Sequence, residues 1–128
     1  MSISRYSLAT VLWFTANQAV LAGSGPSKQY SACMDASGGV TVVMLDCITT
    51  ETEHQDSRLN RAYKDVMDQL STERKQQLRQ AQRLWIKYRD ANCGFYADPD
   101  GGTLASVSAS DCIRSETTAR ANELEGFK

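Results

Sequence analysis

Leu59, Ala62, Tyr63, Val66, Met67 and Leu70 recur at intervals of three and four, which puts one apolar stripe on a helix from about Thr49 to Leu70. Ser71 breaks the stripe and suits an N-cap, because its hydroxyl can accept from a free backbone N–H of the next turn. A second helix then runs to about Tyr96, with Leu78, Ala81, Trp85, Tyr88 and Phe95 as its inner face. A connection this short predicts an antiparallel hairpin. Asp98-Pro99-Asp100-Gly101-Gly102 predicts a turn, since Pro99 disfavours helix at Asp98 and the glycines permit left-handed dihedrals. A third helix follows from about Ser108 to Glu125, on a thin stripe of Cys112, Ile113, Ala119 and Leu124. Upstream, Val40 to Leu45 (VTVVML) is too short for periodicity to assign, and reads as the lead-in to the helix that carries Cys47. The expected fold is all-α: a small antiparallel helical hairpin plus a third helix.

Residues 1–22 read as a signal peptide. Arg5 lies in a weakly positive start, Tyr6 to Ala16 form a short apolar core, and Val20-Leu21-Ala22 offers small residues for cleavage. Asn17 and Gln18 leave that run too short to span a bilayer. Residues 23–40, rich in Gly, Ser and Ala, read as a linker and irregular opening segment, and residues 33–128 as the helical domain. A chain of 128 residues is enough for one domain. Cleavage after Ala22 would remove one of the 14 bases (Arg5) and none of the 15 acids, giving a net charge of 13 − 15, or −2. That is too weak to suggest nucleic acid or an acidic surface as partner. Gly23-Ser24 stands where a lipid-anchored product would need Cys, so a soluble product with no membrane anchor is expected.

Cys33, Cys47, Cys93 and Cys112 all follow the signal, and an even count behind an export signal is a disulfide pattern. No Cys-x-x-Cys pair points to redox chemistry, and with His54 as the only histidine the spacings do not suit zinc. Of three possible pairings, Cys93–Cys112 joins the end of the second helix to the start of the third across the turn-rich loop. Cys33–Cys47 then closes the opening segment onto the first helix.

Other candidate chemistry is sparse. The Asp98–Gly102 turn lacks the rest of a calcium loop, since Ala109 stands where the bidentate Glu belongs. Glu51-Thr52-Glu53-His54 reads as a solvated first helical turn, where acids favour the positive dipole end. No nucleophile elbow or Ser/His/Asp set is present, so neither an enzyme nor a cofactor is expected. Asp56, Asn60, Gln82 and Arg89 read as a polar network between the helices, with Asn60 roughly opposite Gln82. Thr72–Asn92 carries six bases against two acids, while 46–70 and 98–128 each carry six acids against three bases, so a basic middle helix between acidic neighbours is expected to be self-complementary.

The run Asp56-x-x-Leu59-Asn60-x-x-Tyr63, then Leu78-Arg79-x-Ala81-Gln82-x-x-Trp85-Ile86-x-Tyr88-Arg89-Asp90-x-x-Cys93, then Gly101-Gly102 and Cys112-x4-Thr117-x-x-Arg120-x3-Leu124 closely resembles the LprI-like family (LprI N-terminal domain-like), named for a lysozyme inhibitor. The resemblance runs from Cys33 onward. It departs at Glu116, where members usually carry an apolar residue, and in the missing lipid-attachment Cys. It implies a secreted or periplasmic helical domain with paired cysteines, and lysozyme or another cell-wall hydrolase as protein partner. An envelope interaction or toxin-immunity protein with a different partner is the alternative. Two surfaces could make the contact: the loop from Asp98 to Ser106, with Asp98, Asp100, Gly101 and Gly102, and the bases Arg79 and Arg83 of the second helix.

Overall fold

The computed structural model describes residues 25–127, so residues 1–22, read from the sequence as a signal peptide, lie outside the described residues. Four helices follow in order: α1 (Lys28–Ala36), α2 (Thr41–Gln69), α3 (Thr72–Phe95) and α4 (Gly102–Glu125). Among the described residues there is no strand. No described helix is long and apolar enough to cross a membrane.

Three boundaries differ from the sequence reading, each for a physical reason. The stretch read as irregular holds α1, capped by Ser27, whose Oγ accepts from the Tyr30 N–H at 3.1 Å. No residue of α1 is fully buried, so no apolar stripe announces the helix. α2 begins at Thr41, not near Thr49, and takes VTVVML into its first turns. α4 begins at Gly102 instead of Ser108, so Gly102 to Ser106 are helical and the loop before them is short. Ser71 does cap α3, with Oγ accepting from the Arg74 N–H.

The order of packing follows from α2. Its buried side is Ile48, Glu51, Gln55, Leu59, Ala62 and Val66, a stripe of three- and four-residue steps that lies along α4. Thr41 meets Thr103 near the start of both helices (3.5 Å between hydroxyls), and Arg58 meets Asn122 and Glu125 farther on. α2 and α4 therefore run parallel, and α3 is the antiparallel return between them. Leu59, Ala62 and Val66 close the core with Ala121 and Leu124, while Tyr63, Leu70, Leu78 and Trp85 pack at its edge.

α3 sits on α4 through a seam more polar than its apolar residues suggest. Its buried side runs through Leu78, Gln82, Trp85, Arg89 and Cys93, while Ala81, Tyr88 and Phe95 of the expected inner face are exposed. Arg120 of α4 donates from Nε to Gln82 Oε1 at 3.0 Å, and Arg89 reaches Thr117 Oγ1 at 3.5 Å. The Arg89 and Arg120 guanidinium carbons lie 5.1 and 6.0 Å from the Trp85 ring centroid, so the half-buried indole has cationic company. α4 serves two neighbours at once, which explains its thin stripe: it buries Thr117, Thr118, Arg120 and Ala121 and leaves Ala119 exposed.

A chain of hydrogen bonds crosses the α2–α4 stripe where its apolar pattern is interrupted. Glu51, 3 % exposed, accepts from the Ser27 N–H (2.8 Å), the Ser27 hydroxyl (2.5 Å) and Gln55 Nε2 (2.7 Å). Gln55 Oε1 accepts from Arg58 (2.6 Å), and Arg58 ends on Asn122 Oδ1 (2.6 Å) and the Glu125 carboxylate. Glu51 is thus deep in a long helix and far from a solvated first turn. At α1, Tyr30 donates to Asp111 Oδ1 (2.9 Å), which also accepts from Arg114 (2.6 Å), and the Arg114 guanidinium covers the Tyr30 ring.

The disulfides are Cys33–Cys47 and Cys93–Cys112, with Cα–Cα distances of 5.8 and 5.4 Å, the pairing expected from the sequence. The expected charge complementarity between helices is largely absent. Of the ion pairs among the described residues only Arg58–Glu125 links two helices, and the rest lie within one helix.

Two measurements test this architecture. Trp85→Ala should cost about 2–3 kcal/mol in chemical denaturation, below the usual loss for a fully buried Trp because the ring is only partly buried; no measurable loss would show that the seam does not depend on it. Acid should destabilise the fold. Burial pushes the Glu51 carboxyl up, but hydrogen bonds from the Ser27 hydroxyl, Gln55 and the Ser27 amide, with His54 nearby, hold it below its ordinary value of 4.5. Asp111 is likewise lowered: burial opposes, and bonds from Arg114 and Tyr30 prevail. A lowered folded-state value means stability present above the ordinary carboxylate range and lost as pH falls through the lowered one. Unfolding free energy should therefore decline below about pH 4.5, and Glu51→Gln should flatten that decline while lowering stability at neutral pH.

Candidate functional site

One end of the bundle gathers exposed apolar residues around the short α3–α4 connection. α2 starts, α3 ends and α4 starts there, held together by the Cys93–Cys112 bond and the Thr41–Thr103 contact. Val40, Val42, Val43, Phe95, Tyr96 and Leu104 are all exposed at this end, with Phe95 at 83 % and Leu104 at 65 %. The Phe95 and Tyr96 rings meet edge to face, 5.8 Å between centroids. The shared position of these apolar residues makes this end a candidate interaction surface.

The connection itself is a self-bonded turn. Asp98 Oδ1 accepts from the Asp100 N–H at 2.9 Å, and the Asp98 carbonyl accepts from the Gly101 N–H at 3.0 Å. A Cβ on Gly101 would fall 2.8 Å from the Ala105 Cβ, and Gly102 has φ +62, so both positions favour glycine. The result is a compact, closed turn with Asp98 and Asp100 in solvent.

Arg79 and Arg83 lie elsewhere. They are exposed on α3, about 24 and 18 Å along the helix from Phe95 at 1.5 Å per residue. They and the turn are two separate surfaces. The polar residues singled out in the sequence are also dispersed. Asn60 donates to Asp56 one turn away at 3.1 Å, both exposed on α2, while Gln82 and Arg89 bond to α4. Asp56 and Arg89 meet only across a groove of about 410 Å³ that they line with Ile48, Thr52, Ser110 and Ile113.

The periodicity also passed over Glu51, and over the apolar end. A second groove, of about 420 Å³, runs beside the Cys33–Cys47 bond, lined by Ser27, Tyr30, Glu51 and His54 among others. His54 Nδ1 is 4.0 Å from Glu51, but every oxygen of Glu51 is already engaged by Ser27 or Gln55, which leaves the carboxylate a structural task. Leu84 and Tyr88, exposed farther back on α3 on the same side as Phe95, are apolar residues in excess of the stripe that packs.

A family model described as "Lysozyme inhibitor LprI" matches residues 33–124, from the first disulfide cysteine to the last core residue of α4. No curated protein and no solved structure matches the chain. The match takes in both disulfides, the α2–α4 core and the α3–α4 seam, and on that extent the chain belongs to the LprI family of lysozyme inhibitors.

Proposed function

We propose that this protein is exported and inhibits a lysozyme-type muramidase by binding it, with the apolar bundle end around Asp98, Asp100, Gly101 and Gly102 as the contact. Membership of the LprI family is the observation that carries the reading. Two disulfides support a place in an oxidising compartment, the periplasm or the cell exterior. The family consists of inhibitors, and binding rather than turnover is the activity proposed.

The choice of surface rests on shape, rigidity and composition. A muramidase cleft is concave, with two carboxylates across the scissile bond. A compact turn at the end of a bundle suits a cleft better than the broad side of a helix. The turn is braced by the Cys93–Cys112 bond and its own hydrogen bonds, so little order remains to be gained on binding. Phe95 and Tyr96 beside it are the residue types that dominate binding energy at protein interfaces. The acids of the turn would meet like charge in the cleft, so the aromatic side chains carry the affinity and the turn supplies the fit.

The oxidised protein, titrated against chicken-type, invertebrate-type and goose-type lysozymes, should abolish the activity of at least one at a 1:1 ratio. Phe95→Ala with Tyr96→Ala should weaken that inhibition at least about thirtyfold, the loss expected for an aromatic hot spot, and leave the thermal transition in place. Full activity of all three enzymes at large molar excess, with no heat of binding, would replace this reading with an envelope partner of another kind.

A further inference from the structure

The outward side of α3 carries a concentrated, unanswered positive charge. α3 holds six bases and two acids, Glu73 in its first turn and Asp90, and the Asp90 carboxylate is taken by Arg89. Arg79, Arg83 and Lys87 stand one turn apart in a row, all exposed, and among the described residues none of them pairs with an acid. Of the acids on α2 and α4, Asp68, Asp111 and Glu123 pair within their own helices and Glu125 pairs with Arg58. Beside the row, Leu84 and Tyr88 are both more than half exposed and follow one another at the spacing of one turn. The net charge of −1 for the whole chain hides this segregation.

From this we infer that the Arg79–Lys87 side of α3 docks on an anionic phospholipid surface. The chemistry matches on three counts. Three unpaired bases in line lose no ion pair when they meet a layer of phosphates. Leu84 and Tyr88 flank them on the side a helix lying in the interface would press toward the acyl boundary, and a tyrosine's ring and hydroxyl suit that depth. The scaffold holds this side straight and already folded, so no helix has to form on contact, unlike a disordered basic segment. The contact would be peripheral and salt-sensitive.

The test is co-sedimentation of the oxidised full chain with vesicles of phosphatidylcholine alone and of phosphatidylcholine mixed with phosphatidylglycerol. The protein should pellet with the mixed vesicles only, and added salt should release it. Arg79→Glu, Arg83→Glu and Lys87→Glu together should lower the partition coefficient roughly a hundredfold or more, since each base near an anionic surface contributes about fivefold. Arg79→Lys with Arg83→Lys should retain it. Circular dichroism of the charge-reversed protein checks that it is folded. Equal pelleting with both vesicle types, or undiminished pelleting of the charge-reversed protein, would overturn the proposal. So would sedimentation velocity showing a dimer that Leu84→Ser and Tyr88→Ser disperse, because the patch would then be covered by a second copy.

Discussion

Everything in this fold has to accommodate a carboxylate in the middle of its longest buried stripe. Glu51 lies on the side of α2 that faces α4, where an isolated charge would cost several kcal/mol. The chain answers with donors from two directions, the cap of α1 and the next turn of α2; Gln55 in turn accepts from Arg58, which donates onward to Asn122 and Glu125 in the far half of α4. α1 is placed by this requirement as much as by its disulfide, since Ser27 both caps the helix and bonds Glu51 through N–H and hydroxyl. Among the described residues no buried side-chain polar atom lacks a partner, so the network is complete.

A small domain with few large buried side chains needs such substitutes for apolar burial. The core proper consists of five residues near one end, two of them alanines. Elsewhere the helices are joined by two disulfides, by the Gln82–Arg120 and Arg89–Thr117 bonds, and by the Tyr30–Asp111–Arg114 cluster. Hydrogen bonds and cross-links are directional, and they fix register in a way that a generic apolar stripe does not. This is why α4 can be a buried helix with threonine and arginine on its inner sides.

What was legible in the sequence divides along the same line. The stripe from Leu59 to Leu70, the Ser71 cap and the cysteine pairing rest on periodicity and local chemistry, and they stand. The whole of α1 and the start of α4 are hidden because polar or small residues hold them, and the first turns of α2 because the near-continuous apolar run Val40–Leu45 carries no helical period. Trp85 packs against the core as its stripe predicts, whereas Tyr88 and Phe95 of the same stripe face solvent. An apolar residue on a helix is ambiguous when the packed side is itself half polar, as Gln82 and Arg89 make it here. The turn at Asp98–Gly102 was visible from its residues alone. The apolar ring around it was not, because Val40, Val42 and Val43 reach that end only through the parallel course of α2 and α4.

The two disulfides fall in the half of the bundle that carries the exposed apolar end, where Ile48 and Val107 are also buried, and the cluster from Leu59 to Leu124 falls in the other half. The halves are therefore held by forces that answer to different surroundings. Hydrophobic burial at Leu59, Val66 and Leu124 is indifferent to thiol chemistry, whereas the anchoring of α1 and of the α3–α4 turn is not. Loss of the two cross-links would therefore loosen the end that carries the α3–α4 turn before it reached the cluster around Leu124.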